Sequence, residues 1–144
     1  EALLPGRSYL VNALAYEAGA SVPRWGATCS ATTSGGLTVP TACGPLREEG
    51  ALVVPSAPLL SLAGAACTAT GSAPAIALLK ASLVGVERST QSACGADLRF
   101  SGLPAGAYSA LVTAFDAQGS EAFQTLCRGT IVPGRESAAV CDPL

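Results

Sequence analysis

The segment LPGRSYLVNALAYEAG at residues 4–19 returns near the other end of the chain as LPAGAYSALVTAFDAQG at residues 103–119. Pro5 to Pro104 and Tyr9 to Tyr108 are 99 positions apart, while Cys29 to Cys127 and Cys43 to Cys141 are 98 apart, so one residue is slipped in a turn. The endings agree too: ACGPL closes on Pro45 and Leu46, VCDPL on Pro143 and Leu144. Self-similarity at a fixed period is the signature of repeated modules and bounds the architecture before any residue is read singly. A period near 98 holds about seven short strands, the size of a common two-sheet β-domain. A chain of 144 residues then contains one whole module, residues 47–144, and part of another, residues 1–46.

Within the echo, apolar and polar residues are placed as a strand requires. Tyr108, Ala110, Val112 and Ala114 fall on one face, and Tyr9, Val11, Ala13 and Ala15 repeat that face. These faces are expected to look inward. The opposite faces carry Leu10, Asn12, Leu14 and Tyr16 in one copy and Ser109, Leu111, Thr113 and Phe115 in the other. Both are too apolar for full exposure, so some cover is expected.

Between the echoes, apolar pieces at residues 52–54, 59–62, 65–70, 75–87 and 97–101 read as about four or five further strands. PAIALLKASLVGVE has the Ala and Leu content of a helix, but Val84, Gly85, Val86 and the preceding Pro74 favour a strand. The uncharged stretch 51–79 is long enough to raise a membrane span. Pro55, Pro58, Pro74, Gly64 and Gly71 break it into short pieces, and no span is expected. PLREEG, residues 45–50, is the one charged, turn-rich connector and reads as a linker.

Six cysteines, Cys29, Cys43, Cys67, Cys94, Cys127 and Cys141, form an even set without a CxxC pair and without any histidine. Zinc sites want clustered ligands, so no metal is expected and the cysteines read as disulfides. Gly36 lies midway between Cys29 and Cys43, and Gly134 midway between Cys127 and Cys141. Glycine at the centre of two β-rich arms signals a turn, because it takes the positive φ that tight turns require. A turn there sets each cysteine pair face to face on neighbouring strands, within disulfide reach. Cys67 with Cys94 follows by elimination. Each short loop so closed contributes roughly 3 kcal/mol in the chain-entropy model.

GLPAGAYSALVTAFDAQG, residues 102–119, resembles the E–F corner and F strand of fibronectin type III and bacterial immunoglobulin-like domains. In those domains a Leu-Pro-Gly turn leads into Tyr and an alternating strand. The resemblance implies an all-β fold: an immunoglobulin-like antiparallel β-sandwich, disulfide-stapled, with a partial second copy at the N-terminus. It also implies a tyrosine corner, in which the hydroxyl of Tyr108, and of Tyr9 in the first copy, bonds back to the corner backbone. The family's core tryptophan is not carried over, since Trp25 follows the F-like strand. Residues 1–46 then hold only the closing strands of a module. Three arrangements follow: a piece of a longer repeat protein, an N-terminal unit completed by another polypeptide, or one large sandwich of all 144 residues.

Composition excludes several classes of function. Charged residues are 12% of the chain, against about 25% in ordinary domains, and the net charge is −2. Seven scattered Arg and the single Lys80 make no basic stripe, so no nucleic-acid partner is expected. Without histidine, Ser-His and Cys-His nucleophiles are excluded, and no phosphate loop or EF-hand is present. Neither an enzyme nor a cofactor is expected. Glu48 and Glu49 are adjacent and would point apart, and Asp116 in FDAQG reads as a turn stabiliser rather than a calcium ligand.

Methionine is absent even at position 1, and the first residues lack a basic stretch followed by an apolar run, as in a processed or excised segment. Disulfides place the chain outside the reducing cytosol, extracellular or at a cell surface. The only asparagine, Asn12, is not in a sequon, so any glycan would be O-linked. The expected function is a structural building block of a filament, appendage or surface layer that self-associates or joins neighbouring repeats. The alternative is an adhesin-type module that binds glycan or protein as a monomer. Candidate interface residues are Trp25, beside Arg24, together with Leu10, Leu14 and Tyr16.

Overall fold

The structure is a computed structural model and describes residues 4–35, 42–68 and 75–144. The chain is mostly β, in two antiparallel-rich sheets with three disulfides. In chain order the elements are β1 (Ser8–Ala15), β2 (Trp25–Thr32), β3 (Ala42–Cys43), β4 (Arg47–Val54), α1 (Ser56–Leu62) and β5 (Ile76–Leu83). There follow β6 (Ser89–Ala93), β7 (Leu98–Pro104), β8 (Gly106–Asp116), β9 (Glu121–Ile131), β10 (Glu136–Ala138) and β11 (Val140–Cys141).

One sheet runs β11-β9-β8-β5-β6, every pair antiparallel. The other runs β1-β2-β4-β10, with β3 beside β2 and β7 beside β4. Its one parallel pair is β10 with β4. The core lies between β4 and β7 on one side and β5, β8 and β9 on the other. Leu52, Val54, Leu98, Phe100 and Leu103 meet Leu79, Ala81, Leu83, Ala110, Val112 and Cys127 there. Period-2 alternation puts these residues inward on each strand, and burying each large aliphatic side chain contributes about 1.5–3 kcal/mol.

The piece at residues 75–87 forms a strand over Ile76–Leu83 and turns at Gly85, whose φ of 76° suits glycine. The piece at 52–54 lies in β4, and that at 97–101 lies in β7 from Leu98 onward. Residues 59–62, read as a strand, belong instead to α1. Ser56, Leu59 and Leu60 recur at helical spacing and are buried, and Pro58 is tolerated because it lies in the first turn. The helix start is capped from far away: the Ser56 N–H donates to Asp97 Oδ1 at 2.9 Å. Of the piece at 65–70, the described part holds only an isolated bridge from Ala66 to Ala75, and residues 69–70 lie outside the described residues.

The expected linker is also different. From Arg47 to Gly50 it is the first half of β4, which starts against β2 and continues against β7 and β10. Gly50 is required there, since a Cβ would sit 2.5 Å from the Val132 carbonyl oxygen and 2.9 Å from Ile131 Cγ2.

The disulfides join Cys29 to Cys43, Cys67 to Cys94 and Cys127 to Cys141. The first and third are the pairs that the glycine-centred spacing selects, and the second is the one left by elimination. Gly134 does take a positive φ, 68°, but the arm after it is not a simple hairpin. Glu136–Ala138 first joins β4 in the other sheet, and only then does Val140–Cys141 return to β9. Gly36, the turn centre of the first copy, lies outside the described residues.

Candidate functional site

The sequence echo is matched in the strand ladder. In β1–β2, Tyr9 lies opposite Ala31, Val11 opposite Cys29 and Ala13 opposite Ala27. In β8–β9, Tyr108 lies opposite Gly129, Ala110 opposite Cys127 and Val112 opposite Thr125. Each rung of the first set maps onto one of the second at offsets of 99 and 98. The third strand repeats as well: Cys43 faces Cys29 as Cys141 faces Cys127. Even the next backbone bond recurs, Gly44 N–H to Thr28 O and Asp142 N–H to Leu126 O, both 2.9 Å.

Local chemistry at the start of β1 closes its entry turn. Gly6, at φ 73°, donates to Thr33 O, and the Thr33 N–H donates to Arg7 O at 3.0 Å. The Leu4 N–H donates to the Tyr9 hydroxyl oxygen at 2.8 Å, a bond from side chain to corner backbone five residues upstream. In the second copy the Tyr108 ring packs against the core, and its hydroxyl has no hydrogen-bond partner among the described residues.

What differs between the copies is what surrounds them. β8 is flanked on both edges, by β9 and β5, and its inward residues Ala110, Val112 and Ala114 are fully buried under β4 and β7. β1 pairs only with β2, and among the described residues no strand pairs with its other edge. Its equivalents Val11, Ala13 and Ala15 are exposed, Val11 at 52%. On its other face Leu10 is 78% and Leu14 45% exposed, Leu14 beside a cleft shared with Arg88, Ser101 and Gly102, and Tyr16, just past the strand, is 51% exposed. Among the described residues the core cluster has no member from residues 4–46. The two copies therefore do not pack face to face in one closed core.

Such an edge is unusual. SYLVNALA, the whole of β1, carries no charge, no proline and no bulge, the devices by which natural sheets blunt an exposed edge.

The first copy meets the second module at a small polar junction. Trp25 and Gly26 of β2 lie opposite Glu48 and Arg47 of β4, and the Glu49 N–H donates to Arg24 O at 2.7 Å. The Arg24 side chain is the centre of this junction. Its guanidinium pairs with Glu17, approaches Glu48 at 4.0 Å, and lies 4.8 Å from the centroid of the Trp25 ring. Trp25, half-buried, is thus engaged within the chain, whereas Leu10 and Leu14 of β1 and Tyr16 just after it are exposed, Leu14 lining with Asn12 a cleft shared with Arg88, Ser101 and Gly102. Glu48 and Glu49 do diverge along the strand, Glu49 running beneath Gly26. Asp116 Oδ1 accepts from the Gln118 and Ser120 N–H groups at 2.9 and 2.8 Å, the arrangement of a turn-stabilising aspartate.

No protein-family model, curated protein or solved structure matches this chain.

The internal copy is therefore the comparison that the molecule itself supplies. It shows what a covered β-pair of this sequence type looks like, and by subtraction what β1–β2 lacks: an edge strand in the position of β5 and a facing layer in the position of β4 and β7. The sequence carries the repeat, and Leu10, Leu14 and Tyr16, for which it implied some cover, are exposed. It did not reveal the Arg24 junction, because that depends on Arg47–Glu48 being strand, and REE has no strand signature of its own. Among the described residues no helix is long and apolar enough to cross a membrane, and no group of three or more Cys, Asp or Glu side chains is placed to hold a metal ion.

Proposed function

We propose that the chain is a structural building block of an extracellular or cell-surface assembly, a filament, appendage or surface layer, that joins further modules through incomplete β-units. One observation carries this reading: β1–β2–β3 reproduces the ladder and disulfide of β8–β9–β11, yet Val11, Ala13 and Ala15 on its inward face are exposed and, among the described residues, its outer edge has no pairing strand. A free strand edge with apolar faces is a template for another chain. The low charge supports the same reading, since surfaces buried in a polymer need little charge for solubility. Three disulfides favour an oxidising compartment.

Strand pairing supports the immunoglobulin-like reading of residues 47–144. With β8 and β9 taken as the F and G strands, β5 and β6 stand where C and C′ stand, and β4 pairs with β7 as B pairs with E. Residues 1–46 then contribute F and G strands alone. The Tyr9 hydroxyl bond to Leu4 fits the tyrosine corner of that reading.

Sedimentation velocity over a wide concentration range tests the proposal. Self-association is the expected result, and a monomer at every concentration contradicts it. Glycan binding by such a monomer, lost in Trp25→Ala, would support the adhesin instead. The Arg24 side chain over the Trp25 ring does not favour that alternative.

A further inference from the structure

We infer that the outer edge of β1 is the acceptor for an antiparallel strand of β5 type, supplied by another module, and that the internal repeat fixes its register. The inference rests on the assembly reading above and names the contact.

Backbone hydrogen bonds settle the direction of the backbone groups. The Val84 N–H donates to Ser109 O at 2.9 Å, so Ser109, and with it Leu111 and Thr113, turns its backbone groups toward β5. The equivalents in β1 are Leu10, Asn12 and Leu14. Residues of the other parity bond toward β2, as Arg24 N–H to Ala15 O at 2.9 Å and Thr33 N–H to Arg7 O show. Leu10, Asn12 and Leu14 therefore present N–H and C=O groups to an edge with which no described strand pairs.

The occupant is identified by what fills the same edge in the second copy. There Leu79 lies opposite Ala114, Ala81 opposite Val112 and Leu83 opposite Ala110. Transferred to β1, a strand of that kind sets aliphatic residues beside Ala15, Ala13 and Val11. Its lysine meets a matching aromatic: Lys80 Nζ lies 5.1 Å from the Phe115 ring centroid, and Tyr16 stands at the place of Phe115. The occupant is thus an extended segment with aliphatic side chains at alternate positions and a lysine between them, run antiparallel to β1. The rival occupant is β1 of a second copy, paired about a two-fold axis near Asn12. It would supply no cation for Tyr16, since β1 has no charged residue.

The probe is a fluorescein-labelled synthetic peptide of the β5 sequence, Ile76–Leu83, titrated with the full oxidised chain and followed by anisotropy. Saturable one-to-one binding is expected, absent with a scrambled peptide. Leu10→Pro and Leu14→Pro each remove an outward N–H that β2 does not use, and proline is tolerated at such edge positions. Each is expected to weaken the peptide by about tenfold or more, with thermal unfolding unchanged because the core lies within residues 52–141. Tyr16→Ala is expected to weaken it about two- to fivefold. No peptide binding, or binding unaltered in both proline variants, overturns the inference. So does dimerisation that both proline variants abolish while the peptide never binds, which assigns the edge to a second β1. Peptide capture by a chain that stays monomeric keeps this inference and removes self-association. Assembly without peptide capture does the reverse.

Discussion

Val11 and Ala110 stand on the same rung of the same strand pair, opposite Cys29 and Cys127 respectively, yet Val11 is 52% exposed and Ala110 is fully buried. Sequence, ladder and disulfide are shared between the copies. Only the neighbours differ. Residues 47–144 own a facing layer and a flanking strand, and residues 4–35 with 42–46 own neither.

The contrast is measurable in stability. Val112→Ala removes buried methyl groups at full burial and is expected to cost about 2 kcal/mol. Val11→Ala, at the uncovered copy's exposed position, is expected to stay within about 0.5 kcal/mol. Urea unfolding of the dilute oxidised chain measures both, and equal losses would show that β1 is covered in solution.

Position 31 of the first copy and 129 of the second differ in an instructive way. Gly129 lies beneath the facing layer, where a Cβ would come within 2.6 Å of Leu52 Cδ1 and 3.4 Å of Ala139 Cα. The uncovered copy carries Ala31 there, partly exposed. Gly129→Ala is expected to destabilise by about 1–3 kcal/mol through overpacking, and Leu52→Val in the same chain to recover part of the loss. Ala31→Gly is expected to leave the unfolding midpoint of the core almost unmoved, as read by thermal unfolding.

How much of this was legible in the sequence depends on whether the deciding contacts are local. β5 could be read from Pro74 before it and from Val84, Gly85 and Val86 just beyond its end, and β8 from its alternation, which agrees with its burial. α1 was hidden because its cap, Asp97, lies 41 residues away and its apolar run is as short as a strand. The first half of β4 was hidden because REE becomes strand only through pairing with β2 and β7. β6, STQSA, is polar because it is an edge strand, so it lacks the apolar alternation that marks β5. The candidate interface was half legible. SYLVNALA announced a strand with two apolar faces, but β8 has a similar pattern, and nothing local says which of the two is uncovered.

Disulfide connectivity is checked by peptide mapping under non-reducing conditions. Cys29–Cys43, Cys67–Cys94 and Cys127–Cys141 are expected, with no alkylatable thiol in the intact protein. Replacing Cys127 and Cys141 together by Ala is expected to cost the core about 3 kcal/mol. The same change at Cys29 and Cys43 is expected to loosen β1–β3 and leave core unfolding nearly as it was. An equal loss of core stability in both double variants would contradict the division between the copies.

The Arg24 side chain reaches from the first copy to Glu48 of the second at 4.0 Å, its pairs with Glu17 and Trp25 lying within the first copy, all at half-exposed positions where ion pairs contribute little. Arg24→Ala is expected to leave core unfolding unchanged and to speed hydrogen exchange at the Glu49 amide, which bonds to Arg24 O. Exchange at Glu49 as slow as in the parent chain would show that the junction is held by its backbone rungs alone.

The most direct measurement is residue-level amide hydrogen exchange on the oxidised chain, dilute enough to be monomeric, at the two sets of equivalent backbone positions. The amides of Leu10, Asn12 and Leu14 are expected to exchange rapidly, those of Tyr9, Val11 and Ala13 more slowly through their bonds to β2, and those of Ser109, Leu111 and Thr113 slowest of all. Raising the protein concentration, or adding a strand of β5 type, is expected to slow Leu10, Asn12 and Leu14 selectively. Protection at those three amides equal to that at Ser109, Leu111 and Thr113 in the dilute monomer would mean that the first copy is already complete, and would contradict an open half-module.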